Sequence, residues 1–261
     1  MKWIDLNCDM GEIPAAIDDG TQEALMPFLS SVNVACGGHA GDESTMKKTV
    51  EQALRWNLAI GAHPSYDDGA KFGRTEQHLQ AQVVADTVYE QVRALAQVAA
   101  GCGTKLVHVK PHGALYNQAA REPALAEAIA AGVARADWGL ILVGLAGSAT
   151  LETYRKAGFE VAAEAFADRR YEADGSLRSR QHADSLLRDP QEAARQALRI
   201  AETGEVVATG GATISAVAQT ICIHGDTPGA RNIVEAVTRG LRQAGFEIRR
   251  LGLRSSSTGD G

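Results

Sequence analysis

Short apolar runs alternate with stretches of helical spacing along almost the whole chain, and this alternation constrains the fold more than any other feature. Trp3–Asn7, Ser31–Ala35, Leu58–Ala62, Leu106–Lys110, Leu140–Gly144, Val161–Phe166 and Thr220–His224 carry Ile, Val and Leu and are bounded by Gly, Pro or polar turns, as strands are. Between them, Met46, Val50, Ala53 and Leu54 fall at helical spacing, with Asp42 placed to cap that helix and Asn57 to end it. Val84, Val88, Val92 and Leu95 repeat the spacing. Thr227 and Pro228 are expected as the N-cap and first residue of a last helix carrying Ile233, Val237 and Leu241. Such alternation predicts an α/β fold, a parallel sheet covered by helices.

Where the runs end, polar side chains gather. Asp5 and Asn7 share a face at the end of the first run, followed by Asp9 and Glu12. The second leads into Gly37-Gly38-His39, the third into His63-Pro64, and the fourth into His108-Val109-Lys110-Pro111-His112. The sixth runs into Glu164, Asp168 and Arg169, and the last into His224-Gly225-Asp226. An α/β barrel places its active site at the C-terminal ends of its strands, whereas an open sheet brings fewer strand ends to one crevice. A closed (β/α) barrel-like fold is therefore expected, with the site at the strand C-termini.

The chain has 261 residues, which suits one barrel-sized domain over about 1–254 with a disordered tail at 255–261. The charge-rich stretch 169–189 reads as a long loop or lid. A net charge of −6 without basic runs argues against a nucleic-acid surface. Cys8, Cys36, Cys102 and Cys222 lack metal-ribbon spacing and read as free thiols. The start of the chain lacks a signal-like apolar stretch and no run is long enough to span a membrane, so a cytoplasmic setting is expected.

Bland readings compete at single positions. His108 suits core packing, His78 and His182 the surface, Asp42 a helix cap, and the cysteines at strand ends small buried apolar residues. Lys110 is harder to set aside, because lysine is seldom buried without a partner. No phosphate-binding loop, dinucleotide fingerprint or nucleophile elbow is present. The Asp/His cluster has the chemistry of a divalent-metal site, but no ligand-spacing signature makes that case, and the metal state stays open.

The same residues carry a resemblance. Asp5-Leu6-Asn7-Cys8-Asp9-Met10-Gly11-Glu12, Ser31 through Asp42, Gly61-Ala62-His63-Pro64-Ser65 with Phe72-Gly73-Arg74, Val109 through Asn117, Phe166-Ala167-Asp168-Arg169, and His224 through Ala230 resemble, in order, the motifs of the LamB/YcsF family of 5-oxoprolinase A subunits. The likeness spans about residues 1–250. Family members often carry Ala, Leu and Phe where this chain has Cys8, Met10 and Gly38, and Val-Pro-Arg where it has Arg178-Ser179-Arg180. Loss of an aromatic residue beside His39 is expected to alter the pocket wall.

The resemblance implies a barrel-like fold and ATP-dependent opening of 5-oxo-L-proline to L-glutamate. It also implies partner subunits B and C, ATP as co-substrate and Mg2+ with the ATP. Without a phosphate loop, the nucleotide is expected to be bound by or shared with a partner; a homo-oligomer is left open. Asp5, His39, His63, Lys110 and His112 are the expected catalytic residues: Lys110 to stabilise phosphate or oxyanion, the histidines as acid and base, Asp5 to orient a histidine or act as base. Asn7, Glu12, Asp168, Arg169, His224 and Asp226 are expected to bind substrate, and the helix following Asp226 to offer its N-terminus to an anion. Lys110→Met is expected to abolish turnover with the fold intact. Two rivals remain: a metal-dependent amide or carbohydrate deacetylase-like hydrolase with Asp5, His39 and His63 as ligands, and a non-catalytic substrate-binding subunit.

Overall fold

The computed structural model describes residues 2–227 and 229–253; Pro228 and the tail expected at 255–261 lie outside the described residues. In chain order the elements are β1 (Lys2–Met10), α1 (Pro14–Asp18), β2 (Ser31–Ala35), α2 (Glu43–Arg55), β3 (Ala59–His63), α3 (Ala81–Gly101), β4 (His108–Val109), α4 (Gly113–Ala119), α5 (Pro123–Ala136), β5 (Ile141–Leu145), α6 (Ala149–Lys156), β6 (Val161–Phe166), α7 (Pro190–Thr203), β7 (Glu205–Val207), β8 (Thr213–Ser215), β9 (Thr220–Cys222), α8 (Ala230–Gln243) and β10 (Phe246–Ile248).

Strands β1 to β6 pair in sequence order, β6 pairs with β9, and β9 returns to β1, every pairing parallel. The sheet is thus closed, as the convergence of strand ends predicts. β10 extends the wall beside the start of β1, and β7 and β8 form a separate antiparallel hairpin. Three-residue strands are too short to show a period, so the sequence pattern reveals neither feature. β1 runs three residues past its expected end, which carries Asp9 into the strand. The last helix begins at Ala230 with Gly229 as its N-cap, so Thr227 does not cap it. Thr227 instead donates from Oγ1 to Asp168, 3.2 Å away.

Two kinds of core result. Outside the barrel wall, Ile4, Leu6, Val32, Val34, Ile60 and Val109 pack with the apolar stripes of the helices, including Met46, Val50 and Ala53 of α2 and Val84, Val88, Val92 and Leu95 of α3. Each fully buried aliphatic side chain of this kind contributes about 1.5–3 kcal/mol. Asp42 caps α2 as expected, in a capping box with Thr45. Among the described residues no helix is long and apolar enough to cross a membrane.

Inside the barrel the filling is polar, unlike the aliphatic layers usual in such barrels. Asp5, Asn7 and Asp9 alternate along β1 and meet Ser31 and Asn33 of β2, Glu164 of β6 and Thr220 of β9, and Asn33 in turn meets His108 of β4. A buried polar network costs stability unless its members are hydrogen-bonded, so this column is a feature maintained against the hydrophobic trend.

Candidate active site

The base of the column is Asp5. It is fully buried and accepts hydrogen bonds from Ser30, Ser31 and Thr220. Burial pushes its carboxyl up to about 6, although the three hydroxyls pull the other way. One step up, Asn7 donates from Nδ2 to Glu164 Oε1 (2.9 Å) and Thr220 Oγ1 (2.6 Å), and accepts from Asn33 Nδ2 (2.7 Å). Asn33 in turn accepts from His108 Nε2 at 2.8 Å. Burial holds the His108 imidazole down near 3, with the Lys110 charge acting in the same direction. Asp5, Asn7 and His108 therefore sit beneath the cleft, not on its wall. The expectation that Asp5 orients a histidine or ligates metal with His39 and His63 is corrected: its three partners are hydroxyls.

The top of the column holds Lys110. Its Nζ lies 3.0 Å from Asp9 Oδ1, 3.0 Å from Glu164 Oε1 and 3.1 Å from Cys222 Sγ, and it sits over the Phe166 ring. Burial opposes the ammonium charge, but Asp9, Cys222 and Glu164 outweigh it and hold the pKa well above the ordinary lysine value. Burial likewise opposes the charge on Asp9, yet His63 and Lys110 keep its carboxyl well below the usual range. Lys110 is thus a buried cation compensated by two carboxylates, Asp9 and Glu164, neither of which was among the expected catalytic or substrate-binding residues.

Beside Asp9 stand three histidines. His63, at the end of β3, has Nδ1 2.7 Å from the Lys110 carbonyl and Nε2 3.3 Å from Asp9 Oδ2. His112, just before α4, has Nε2 3.0 Å from the Phe72 carbonyl and Nδ1 2.9 Å from His63 Nε2. His39, in the loop after β2, stacks on His112 at 3.6 Å and meets Glu12 Oε1 through Nε2 at 2.8 Å. Burial lowers the pKa of both His39 and His112. Phe72 holds a left-handed backbone (φ 55°), uncommon for an aromatic residue, and this aims its carbonyl at His112.

Position 38 does not shape the cleft as expected. A Cβ on Gly38 would lie 2.4 Å from Ser65 Oγ and 2.7 Å from Gln91 Oε1, so the backbone there packs against α3. The aromatic residue beside His39 is Phe72, edge-on at 5.2 Å.

Across the opening, His224 follows β9 and contacts Asp168 twice. Its Nδ1 lies 2.9 Å from Asp168 Oδ1, and its backbone N–H donates to Oδ2 at 3.0 Å. The ring stacks on Phe166. Asp168 is fully buried; His224 and Arg169 overcome that burial and hold its carboxyl below the usual range. A buried carboxylate accepting from Nδ1 leaves Nε2 as the free lone pair of the imidazole, the arrangement of an oriented general base. Arg169 is nearly buried, donates from Nη2 to the Arg178 carbonyl at 2.7 Å, and has no partner for Nε among the described residues. Burial and the neighbouring Arg180 bring its guanidinium down to about 10.

These groups share a cleft of about 970 Å³ lined by Asp9, Glu12, His63, Lys110, His112, Arg169, His224 and Asp226, among others. The expected lid supplies one wall through residues 173–177 and 179–181. In the same stretch Arg178, a departure from the family pattern, pairs with Glu172 and Asp184, and Arg180 pairs with Asp226. Asp226 also accepts from Arg74 at 2.8 Å. It is therefore a clamp at the rim joining lid to loop, and the helix expected to follow it directly begins only at Ala230.

Comparison with known proteins places this geometry. The LamB/YcsF family profile matches residues 4–255. The 5-oxoprolinase A subunit of Chloroflexus aggregans is 48% identical over 249 residues, covering 95% of this chain and 99% of that protein. That of Bordetella pertussis is 46% identical over 245 residues, covering 94% and 97%. The crystal structure of a lactam utilization protein from Thermus thermophilus superposes with a TM-score of 0.87 at 42% identity, covering 95% of this chain and 99% of that one. With matches of this length and identity, the chain is a member of the LamB/YcsF family.

Proposed function

We propose that this chain is the A component of a 5-oxoprolinase and that its cleft opens the lactam of 5-oxo-L-proline to give L-glutamate at the expense of ATP, together with B and C subunits. The observation that carries this reading is the cleft itself. An imidazole oriented by a buried carboxylate, His224–Asp168, faces the same cavity as Lys110 and Arg169, in a chain matched almost end to end by 5-oxoprolinase A subunits.

A lactam is a poor electrophile and its nitrogen a poor leaving group. Transfer of the ATP γ-phosphoryl group to the carbonyl oxygen, with Mg2+ accompanying the nucleotide, gives an activated imidate. Water adds to the ring carbon, the C–N bond breaks, and the nitrogen takes up a proton to become the α-amine of an acyl phosphate. A second water then releases phosphate and glutamate.

His224 is the base for the attacking water, and Asp168 stabilises the imidazolium that forms. Arg169, with its unpartnered Nε, holds the substrate carboxylate or phosphate. That role passes to it from Lys110, whose Nζ is already engaged by Asp9 and Glu164. Lys110 supplies a fixed positive potential under the reacting carbonyl. Pockets of roughly 300–1,000 Å³ take drug-sized ligands, so a cleft of about 970 Å³ has room for a phosphoryl donor or a partner segment beside the small lactam.

The test combines the chain with candidate B and C subunits, 5-oxo-L-proline and Mg-ATP, and follows glutamate. Formation only in the complete mixture is expected. No glutamate from the complete mixture would overturn the assignment, and rapid ATP-driven turnover by the isolated chain would overturn the partner's share in the nucleotide site.

A further inference from the structure

Glu12, His39, His63 and His112 converge at the wall of the cleft, and their hydrogen bonding leaves the centre of the group short of protons. His63 Nδ1 lies 2.7 Å from the Lys110 carbonyl and His112 Nε2 lies 3.0 Å from the Phe72 carbonyl. A carbonyl oxygen only accepts, so each of these nitrogens carries its ring's proton. The inner nitrogens, His63 Nε2 and His112 Nδ1, then turn lone pairs toward each other at 2.9 Å. Glu12 Oε1, also an acceptor, lies 3.3 Å from His112 Nδ1, 3.9 Å from His63 Nε2 and 2.8 Å from His39 Nε2. A proton on His39 Nε2 satisfies its contact with Glu12, since His39 Nδ1 has no partner among the described residues; the contacts of His63 Nε2 with His112 Nδ1, Glu12 and Asp9 Oδ2 (3.3 Å) stay acceptor to acceptor until a proton or a cation enters there. A cation at their centre satisfies all of them.

We propose that Glu12, His39, His63 and His112 form a binding site for a divalent transition-metal ion of the zinc type, through three imidazole nitrogens and one carboxylate oxygen. Ligands placed tetrahedrally 2.0–2.1 Å from zinc stand about 3.3 Å apart. Four of the six separations in this group run from 2.8 to 3.9 Å around that value, and all four ligand atoms lie within 4.8 Å of one another. The outer nitrogens of His63 and His112 are fixed by backbone carbonyls, the arrangement that orients metal-bound imidazoles and sets their tautomer. The ligands come from four separate segments, after β1, after β2, at the end of β3 and before α4, so no local spacing in the sequence announces them.

A neighbouring trio, Asp9, Cys222 and His224, is disfavoured for a cation, because the Lys110 ammonium stands 3.0 Å from Asp9 Oδ1 and 3.1 Å from Cys222 Sγ. The proposed site borders the cleft that also holds His224 and Arg169, so an ion there would face the same bound molecule. It follows from the donor set alone and does not rest on the lactam reading; metal uptake and lactam turnover can fail separately.

The test uses the untagged full chain, stripped with chelator and titrated with Zn2+ or Co2+, read by elemental analysis and by Co2+ visible absorption. One ion per chain is expected. Zinc-edge X-ray absorption should give a nitrogen and oxygen shell with imidazole scattering and no sulfur. Glu12→Gln and His112→Gln should each weaken binding by more than about 100-fold, with the melting temperature of the metal-free protein unchanged. Absence of stoichiometric uptake by the wild type, sulfur in the shell, or wild-type affinity in both variants would each overturn the site. If a variant fails to fold, the wild-type uptake and absorption spectrum decide between these outcomes on their own.

Discussion

Lys110 Nζ and Glu164 Oε1 lie 3.0 Å apart in the interior of the barrel, the lysine 3% and the glutamate 0% exposed. Removing one member of such a pair strands the other's charge. Lys110→Met leaves Glu164 and Asp9 without their cation and is expected to cost about 3–5 kcal/mol of folding stability. The substitution therefore reports on the fold as well as on turnover, contrary to what the sequence alone suggests. Lys110→Met combined with Glu164→Gln should recover part of the loss. Urea denaturation of both variants checks this; a single variant as stable as the wild type would contradict the pairing.

Asp5 gives the barrel a pH dependence of known sign. Its folded-state pKa of about 6 lies above the ordinary carboxyl value of 3.8. The folded protein thus binds this proton more tightly than the unfolded chain. The resulting stabilisation is complete below about pH 4 and is lost as the pH rises through 6, amounting to roughly 3 kcal/mol. The stability difference between wild type and Asp5→Asn should therefore move by about that amount in favour of Asn between pH 4 and 7.5. A difference that stays constant with pH would count against a protonated Asp5.

His108 acts in the opposite sense. Its pKa near 3 lies below the ordinary value of 6.5, so the folded state prefers the neutral ring. That contribution is present above pH 6.5 and declines as the pH falls toward 3. Wild type should lose roughly 3 kcal/mol from this source between pH 6.5 and 4, and His108→Gln should lose correspondingly less over the same range. Denaturation curves at the two pH values check it; parallel losses would refute it.

The ring of His108 also leaves no space at Gly61, where a Cβ would lie 2.1 Å from Nε2. Gly61→Ala should cost about 1–3 kcal/mol or more through overpacking. Thermal melts of the variant test this, and a melting point equal to that of the wild type would mean that the ring moves aside freely.

The barrel was legible in the sequence because six strand ends offered polar groups that only a closed sheet brings together. Asp9 was not legible. With β1 expected to stop at Asn7, Asp9 read as part of a turn, whereas the strand continues to Met10 and places Asp9 on the same face as Asp5 and Asn7. The period-two spacing was present, but the turn was expected directly after Asn7. The pairing of Lys110 with Glu164, and of His224 with Asp168, depends on which strands become neighbours when the barrel closes, and no local pattern carries that information. The strand-end pattern named these residues without indicating which are buried partners and which face the cleft. The same pattern placed Asp5 among the catalytic groups, and in the structure three hydroxyls enclose it.

The most direct measurement of the central claim is the rate of glutamate formation from 5-oxo-L-proline and Mg-ATP by the complete complex, formed with wild-type, His224→Gln or Asp168→Asn chain. Loss of an oriented general base predicts a fall of about 10²–10⁴-fold in turnover for His224→Gln, and a large fall for Asp168→Asn, with folding and binding to the partners preserved. Wild-type rates in both variants would contradict the assignment of lactam opening to the His224–Asp168 pair.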